Sequence, residues 1–125
     1  MKLKKLKIRI ESEKKYHKRV EKSLKKIDER RADSFKDDSI SFNSLEQFRK
    51  FITSKKIELL RVIKEKKPTS VYALAKIVKR NTENVNRDLK ELELMGFVNL
   101  KKEKSARRKI KPQVDYESIE INIPV

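Results

Sequence analysis

The 125-residue chain carries thirty-five Lys and Arg against nineteen Asp and Glu, a net charge of +16, with 36% hydrophobic residues and no cysteine. That balance favours solubility and attraction to polyanions, and the length suits one compact domain with an appended arm. Without cysteine there is no disulfide, thiol nucleophile or thiolate metal site, and no apolar run approaches the roughly 18 residues that span a bilayer.

The N-terminus, MKLKKLKIRIE, is basic but lacks the apolar core and small-residue cleavage site of a secretory signal, so an intracellular, cytoplasmic protein is expected. The charge is uneven. Residues 1–31 stand at +9, 32–80 at +6 and 101–112 at +6, whereas 81–100 are −2 and 113–125 are −3. Basic segments therefore flank a nearly neutral centre, the distribution expected when flanking parts hold phosphate.

Leu6, Ile8 and Ile10 alternate with Lys7 and Arg9, which predicts a strand. From Ser12 to about Asp33 the residues Tyr16, Val20, Leu24 and Ile27 form one narrow helical seam, with Lys and Arg nearly everywhere else. Ser12 is the expected cap of that helix. Ile40 and Phe42 suggest a brief strand. Asn43 or Ser44 then caps a short helix, with Glu46 or Gln47 completing a capping box and Leu45, Phe48, Phe51 and Ile52 buried.

A helix over Ser54–Lys66 presents Ile57, Leu60 and Ile63, flanked by Leu59 and Val62, and Pro68 stops it. Thr69 or Ser70 begins the next, with Val71, Leu74, Ala75 and Val78 inward. Thr82 is the expected N-cap of a third helix, in which Val85, Leu89, Leu92 and Met95 share a face. Gly96, the only glycine of the chain, follows as a left-handed terminator. Phe97, Val98 and Leu100 start a strand, a basic hairpin runs through Lys101–Lys109, and Ser118–Ile123 alternates as a last strand.

Three short helices, a glycine, and a strand with a basic loop form the layout of a winged helix-turn-helix, here an α+β fold with an N-terminal strand–helix extension and C-terminal strands. The expected division is 1–38 as an N-terminal arm and 39–125 as the DNA-binding domain. With Val85 inward, the wheel of the third helix turns Glu83, Arg87, Lys90 and Leu94 outward, flanked by Asn84 and Asn86. Asn can bond adenine through two atoms and Arg can bond guanine through two, so Asn86 and Arg87 are the candidates for base reading. Thr82, Asn84 and Lys90 join them as candidate DNA contacts, and Arg107, Arg108 and Lys109 of the wing are candidates for phosphate or the minor groove.

The segment SVYALAKIVKRNTENVNRDLKELELMGFVNL, Ser70 to Leu100, resembles the winged-helix core of MarR- and ArsR-like regulators. SVYALA, NVNRDLKELELMGFV and the ending RRK-x-x-P-x-V-D-Y-x-x-I-E-I-N-I-P are similar to a group of small winged-helix DNA-binding proteins. Members of that group are proposed as antitoxins or autoregulators encoded beside a toxin, so the resemblance implies double-stranded DNA, and a neighbouring toxin, as partners. Glu83, Asp88, Glu91 and Glu93 depart from a phosphate-gripping helix, and Leu94 stands where a polar residue belongs.

His17 has no ligand partners at metal-binding spacing, and one glycine cannot build a phosphate loop. No paired carboxylates stand out, so no cofactor, metal or catalysis is expected. The first and last strands carry matched apolar faces and opposite charges, which suits them as neighbours within one chain or between two. The expected activity is sequence-specific regulation of transcription by a homodimer, as a repressor or autoregulator bound to the nucleoid. The alternatives are an antitoxin-like protein that neutralises a toxin, and a nonspecific chromatin-type coat.

Overall fold

The computed structural model describes residues 4–29, 39–102 and 109–125. In chain order these form β1 (Lys5–Ile10), α1 (Glu13–Glu29), β2 (Ile40–Phe42), α2 (Leu45–Phe51), α3 (Ser54–Lys66), α4 (Val71–Val78), α5 (Thr82–Leu94), β3 (Asn99–Lys102), β4 (Ile110–Gln113) and β5 (Ser118–Asn122). The fold is mixed α+β, with a three-stranded and a two-stranded sheet among the described residues.

The chain divides into two compact units. One takes Met1–Phe51 with Glu117–Val125, and the other takes Ile52–Tyr116. Residues 39–51 and 117–125, grouped in sequence with the central helices, thus lie with the N-terminal strand.

In the first unit β1 is the middle strand, parallel to both β2 and β5. Parallel neighbours need a crossover, and α1 supplies it between β1 and β2. The register sets Leu6 beside Ile119, Lys7 beside Glu120 and Ile8 beside Ile121. The first and last strands therefore pair within one chain, matched apolar face to apolar face. Lys5 Nζ stands 3.0 Å from Glu120 Oε1 across that pair.

Burial concentrates on Ile8, Ile10, Phe42 and Phe48, with Phe42 edge-on to Phe48. Each such side chain withdrawn from water contributes roughly 1.5–3 kcal/mol. Glu11 is buried because Arg19 of α1 places both Nε and Nη2 2.9 Å from its Oε1. Arg19 Nη2 also reaches Ser41 Oγ at 3.4 Å, so one guanidinium ties the helix to β2 and to the residue that follows β1.

Ser12 caps α1, its Oγ accepting from Lys15 N. Ser44 caps α2 by accepting from Gln47 N, while Gln47 Oε1 accepts from Asn43 N, a near variant of the expected capping box. Not every apolar position is enclosed. Tyr16, Leu45, Ile121 and Ile123 are exposed, because Leu45 opens its helix and β5 is an edge strand.

The second unit packs α3, α4 and α5 around Leu59, Leu60, Ile63, Leu74, Ala75, Val85, Leu89 and Leu92. Thr53 and Ser70 cap α3 and α4 through side-chain oxygens. Phe97 and Val98 are buried just beyond α5, and β3 pairs antiparallel with β4. Three residues close the helices with positive φ: Lys67 (47°), Lys79 (57°) and Gly96 (89°).

Candidate nucleic-acid interface

The geometry of α5 is set at both ends. Its N-cap is Asn81, whose Oδ1 accepts from Glu83 N at 2.7 Å. That corrects the expectation of Thr82, which is the first helical residue. Asn81 keeps extended backbone angles and a short side-chain acceptor, the two properties a cap needs.

At the other end Phe97 N donates to Leu92 O at 2.8 Å and Gly96 N to Glu93 O at 3.0 Å, the paired bonds of a Schellman terminus. The positive φ of Gly96 makes that turn, which delivers Phe97 and Val98 into the core and β3 alongside.

Val85, Leu89 and Leu92 face the core, which leaves the opposite side of α5 to solvent. Thr82, Asn84, Arg87 and Lys90 are exposed there, and Asn86 is half-buried at the margin. Leu94 is 86% exposed on the same element, an apolar residue with most of its surface in water.

Two of the four acidic residues on α5 are engaged in ion pairs, Asp88 largely enclosed and Glu91 half-exposed. Asp88 Oδ2 pairs with Arg80 Nη2 at 2.8 Å, and Glu91 Oε2 with the buried Lys56 Nζ at 2.7 Å. Of the other two, Glu83 sits in the first turn, where an anion complements the helix dipole. The outward face therefore carries Arg87 and Lys90 with less opposing charge than its sequence implies.

The β3–β4 hairpin supplies further cations. Lys109 is exposed at the start of β4, whereas Arg107 and Arg108 lie outside the described residues. The ladder sets Lys101 directly opposite Lys111, two like charges on one face of the hairpin. Directly opposed like charges are unfavourable in water, and an anionic partner relieves them. This pair was not among the sequence candidates, since only the register of the hairpin brings the two lysines together.

On α4, Tyr72 is exposed with Lys76 Nζ 4.6 Å from its ring centre, a cation–π contact at the surface. It too was missed. Tyr72 and Ile77 lie off the buried stripe of α4, and spacing alone does not distinguish an exposed aromatic from packing.

The exit from the hairpin is fastened to the end of α5. The Tyr116 hydroxyl donates to Phe97 O at 2.7 Å, and Asn99 Nδ2 donates to Asp115 Oδ2 at 2.9 Å. Burial of Tyr116 pushes its phenol far above the ordinary value of 10.0.

Among the described residues no His, Asp and Glu side chains gather in a group able to hold a metal ion. No described helix is long and apolar enough to cross a membrane.

The described residues define an α+β protein in which a helix with a polar, cation-bearing outer face leads into a lysine-rich hairpin. The chain belongs to the HVO_A0114 family, whose model matches residues 51–121. No curated protein matches it.

Proposed function

We propose that Ile52–Tyr116 is a winged helix-turn-helix of the MarR- and ArsR-like type, which binds double-stranded DNA and regulates transcription. In this reading α4 and α5 are the helix-turn-helix, α5 enters the major groove, and the β3–β4 hairpin is the wing. Arg87 and Asn86 read base edges, Thr82, Asn84 and Lys90 position the helix, and Lys109 meets phosphate with Arg107 and Arg108. A homodimer presents two such helices to successive grooves about 34 Å apart. The protein then works at the nucleoid, in the cytoplasm, as a repressor or autoregulator.

The observation that carries the reading is the division of charge on α5. Asp88 and Glu91 are held in ion pairs with Arg80 and Lys56, while Asn84, Arg87 and Lys90 face solvent. With Asp88 and Glu91 paired, Arg87 and Lys90 meet less opposing charge on the face that approaches phosphate, which supports groove recognition.

The test is fluorescence-anisotropy titration of DNA upstream of the protein's own coding sequence against a shuffled duplex, at about 50 and 200 mM salt. The upstream duplex is expected to win at the higher salt, and Arg87→Ala to remove a preference of about 1–3 kcal/mol. Equal binding of both duplexes, lost together as salt rises, refutes sequence-specific reading.

A further inference from the structure

We propose that the outer face of α1 is a second phosphate-binding surface, which grips the backbone of duplex DNA without reading its sequence. The proposal rests on the reading of α5 as a DNA-binding helix and extends it to the other unit.

Lys14, Lys15, Lys18 and Lys22 are all exposed on α1. At 3.6 residues per turn they fall within an arc of about 100°, on the side away from Tyr16 and Val20. From Lys14 to Lys22 the arc runs about 12 Å along the helix, enough to follow several phosphates of one strand. None of the four is held in an ion pair among the described residues, and Glu21 at the margin is the acidic neighbour that lies among them.

The rotation of α1 about its own axis is fixed. Arg19 is locked to Glu11 and Ser41, its guanidinium lies 5.3 Å from the Tyr16 ring centre, and Val20 is half-buried. The lysines are thus held outward by a partly buried ion pair. This anchoring also favours nucleic acid over a bilayer. An interfacial helix sinks its apolar side into lipid, whereas on α1 Arg19 is bonded to Glu11 and Ser41 of its own unit. Four ammonium groups in a row, without ion pairs among the described residues, fit a linear array of phosphates, and each contact made there releases condensed counterions.

The test compares the full chain with Lys14→Gln/Lys15→Gln/Lys18→Gln/Lys22→Gln on the upstream and shuffled duplexes, reading the slope of log affinity against log salt. The slope is expected to become shallower by about 2–4, since each lost phosphate contact removes about 0.9. Affinity falls by the same factor on both duplexes, so the preference between them is kept. Circular dichroism checks that α1 is retained, and Lys18→Gln/Lys22→Gln, a lighter change, is expected to lose about 1–2 of slope.

A wild-type slope in both variants overturns the proposal while leaving the α5 reading intact. A wild-type chain that binds no duplex overturns both. Binding to vesicles of about 30 mol% phosphatidylserine that the quadruple variant loses, with its duplex slope unchanged, overturns the proposal in favour of a membrane surface.

Discussion

Arg80 Nη2 stands 2.8 Å from Asp88 Oδ2, so the residue just before the cap of α5 holds the second turn of that helix. The two side chains retain only 18% and 14% of their exposure. Arg80 Nη1 is buried with no hydrogen-bond partner, so the guanidinium is not fully repaid for leaving water. The pair contributes direction more than stability: it fixes α5 against the turn that precedes it.

Removing one partner therefore costs more than removing both. Arg80→Ala strands the Asp88 carboxylate and is expected to lose about 2–4 kcal/mol, whereas Arg80→Met/Asp88→Leu returns most of it. Urea midpoints decide this. The double variant is also expected to bind duplex more weakly than wild type, because the orientation of α5 is no longer pinned.

Gly96 and Lys79 both end helices with positive φ, and only one of them is glycine. Gly96→Ala places a Cβ in the left-handed region and is expected to cost about 1 kcal/mol or more. Lys79→Gly relieves the same strain and is expected to gain roughly 0.5–1 kcal/mol, less the added freedom of the unfolded chain. Thermal melting of the two variants should move in opposite directions.

Tyr116→Phe deletes the hydroxyl that donates to Phe97 O and is expected to cost about 1 kcal/mol near neutral pH. The folded phenol keeps its proton at a pH where the unfolded one, with its ordinary value of 10.0, has released it. Stability from this group is complete below pH 10 and declines as pH climbs toward the raised folded value. The gap between wild type and variant in urea unfolding should accordingly stay constant from about pH 8 to 10 and narrow above it.

Lys111 faces Lys101 across the hairpin. Lys111→Glu turns a repulsive cross-strand pair into an attractive one, worth about 0.2–1 kcal/mol. Stability is expected to rise while duplex affinity falls on matched and shuffled DNA alike. A variant that gains stability with unchanged affinity would remove Lys111 from the proposed interface.

Much of this architecture is legible in the chain because it is local. Alternation predicts β1 and β5, the 3.6-residue stripe predicts α3 to α5, and Gly96 marks the end of α5. Asn43 or Ser44 with Glu46 or Gln47 marks the start of α2, and the structure uses Ser44 and Gln47. What escapes is what depends on distant partners. Asp88 and Glu91 read as charges that spoil a DNA-facing helix, and only folding brings Arg80 and Lys56 to them. The two caps Asn81 and Thr82 differ by one residue, and both types cap well, so local chemistry does not choose between them. The like-charged pair Lys101–Lys111 exists only in one register of the hairpin, and the parallel sense of β1 and β5 has no signature in either strand.

The parallel pairing of β1 with β5 also orders events during synthesis. Lys5 meets Ser118, so the middle strand of the sheet is made early and its partner arrives more than a hundred residues later. At about 5–20 residues per second the ribosome leaves β1 half-paired for several seconds. Ile52–Tyr116 is complete within that interval, and its contacts are nearer in sequence. The strand KLKIRI thus waits for its β5 neighbour until residues 118–122 have been made, with one edge open to other strands in the meantime.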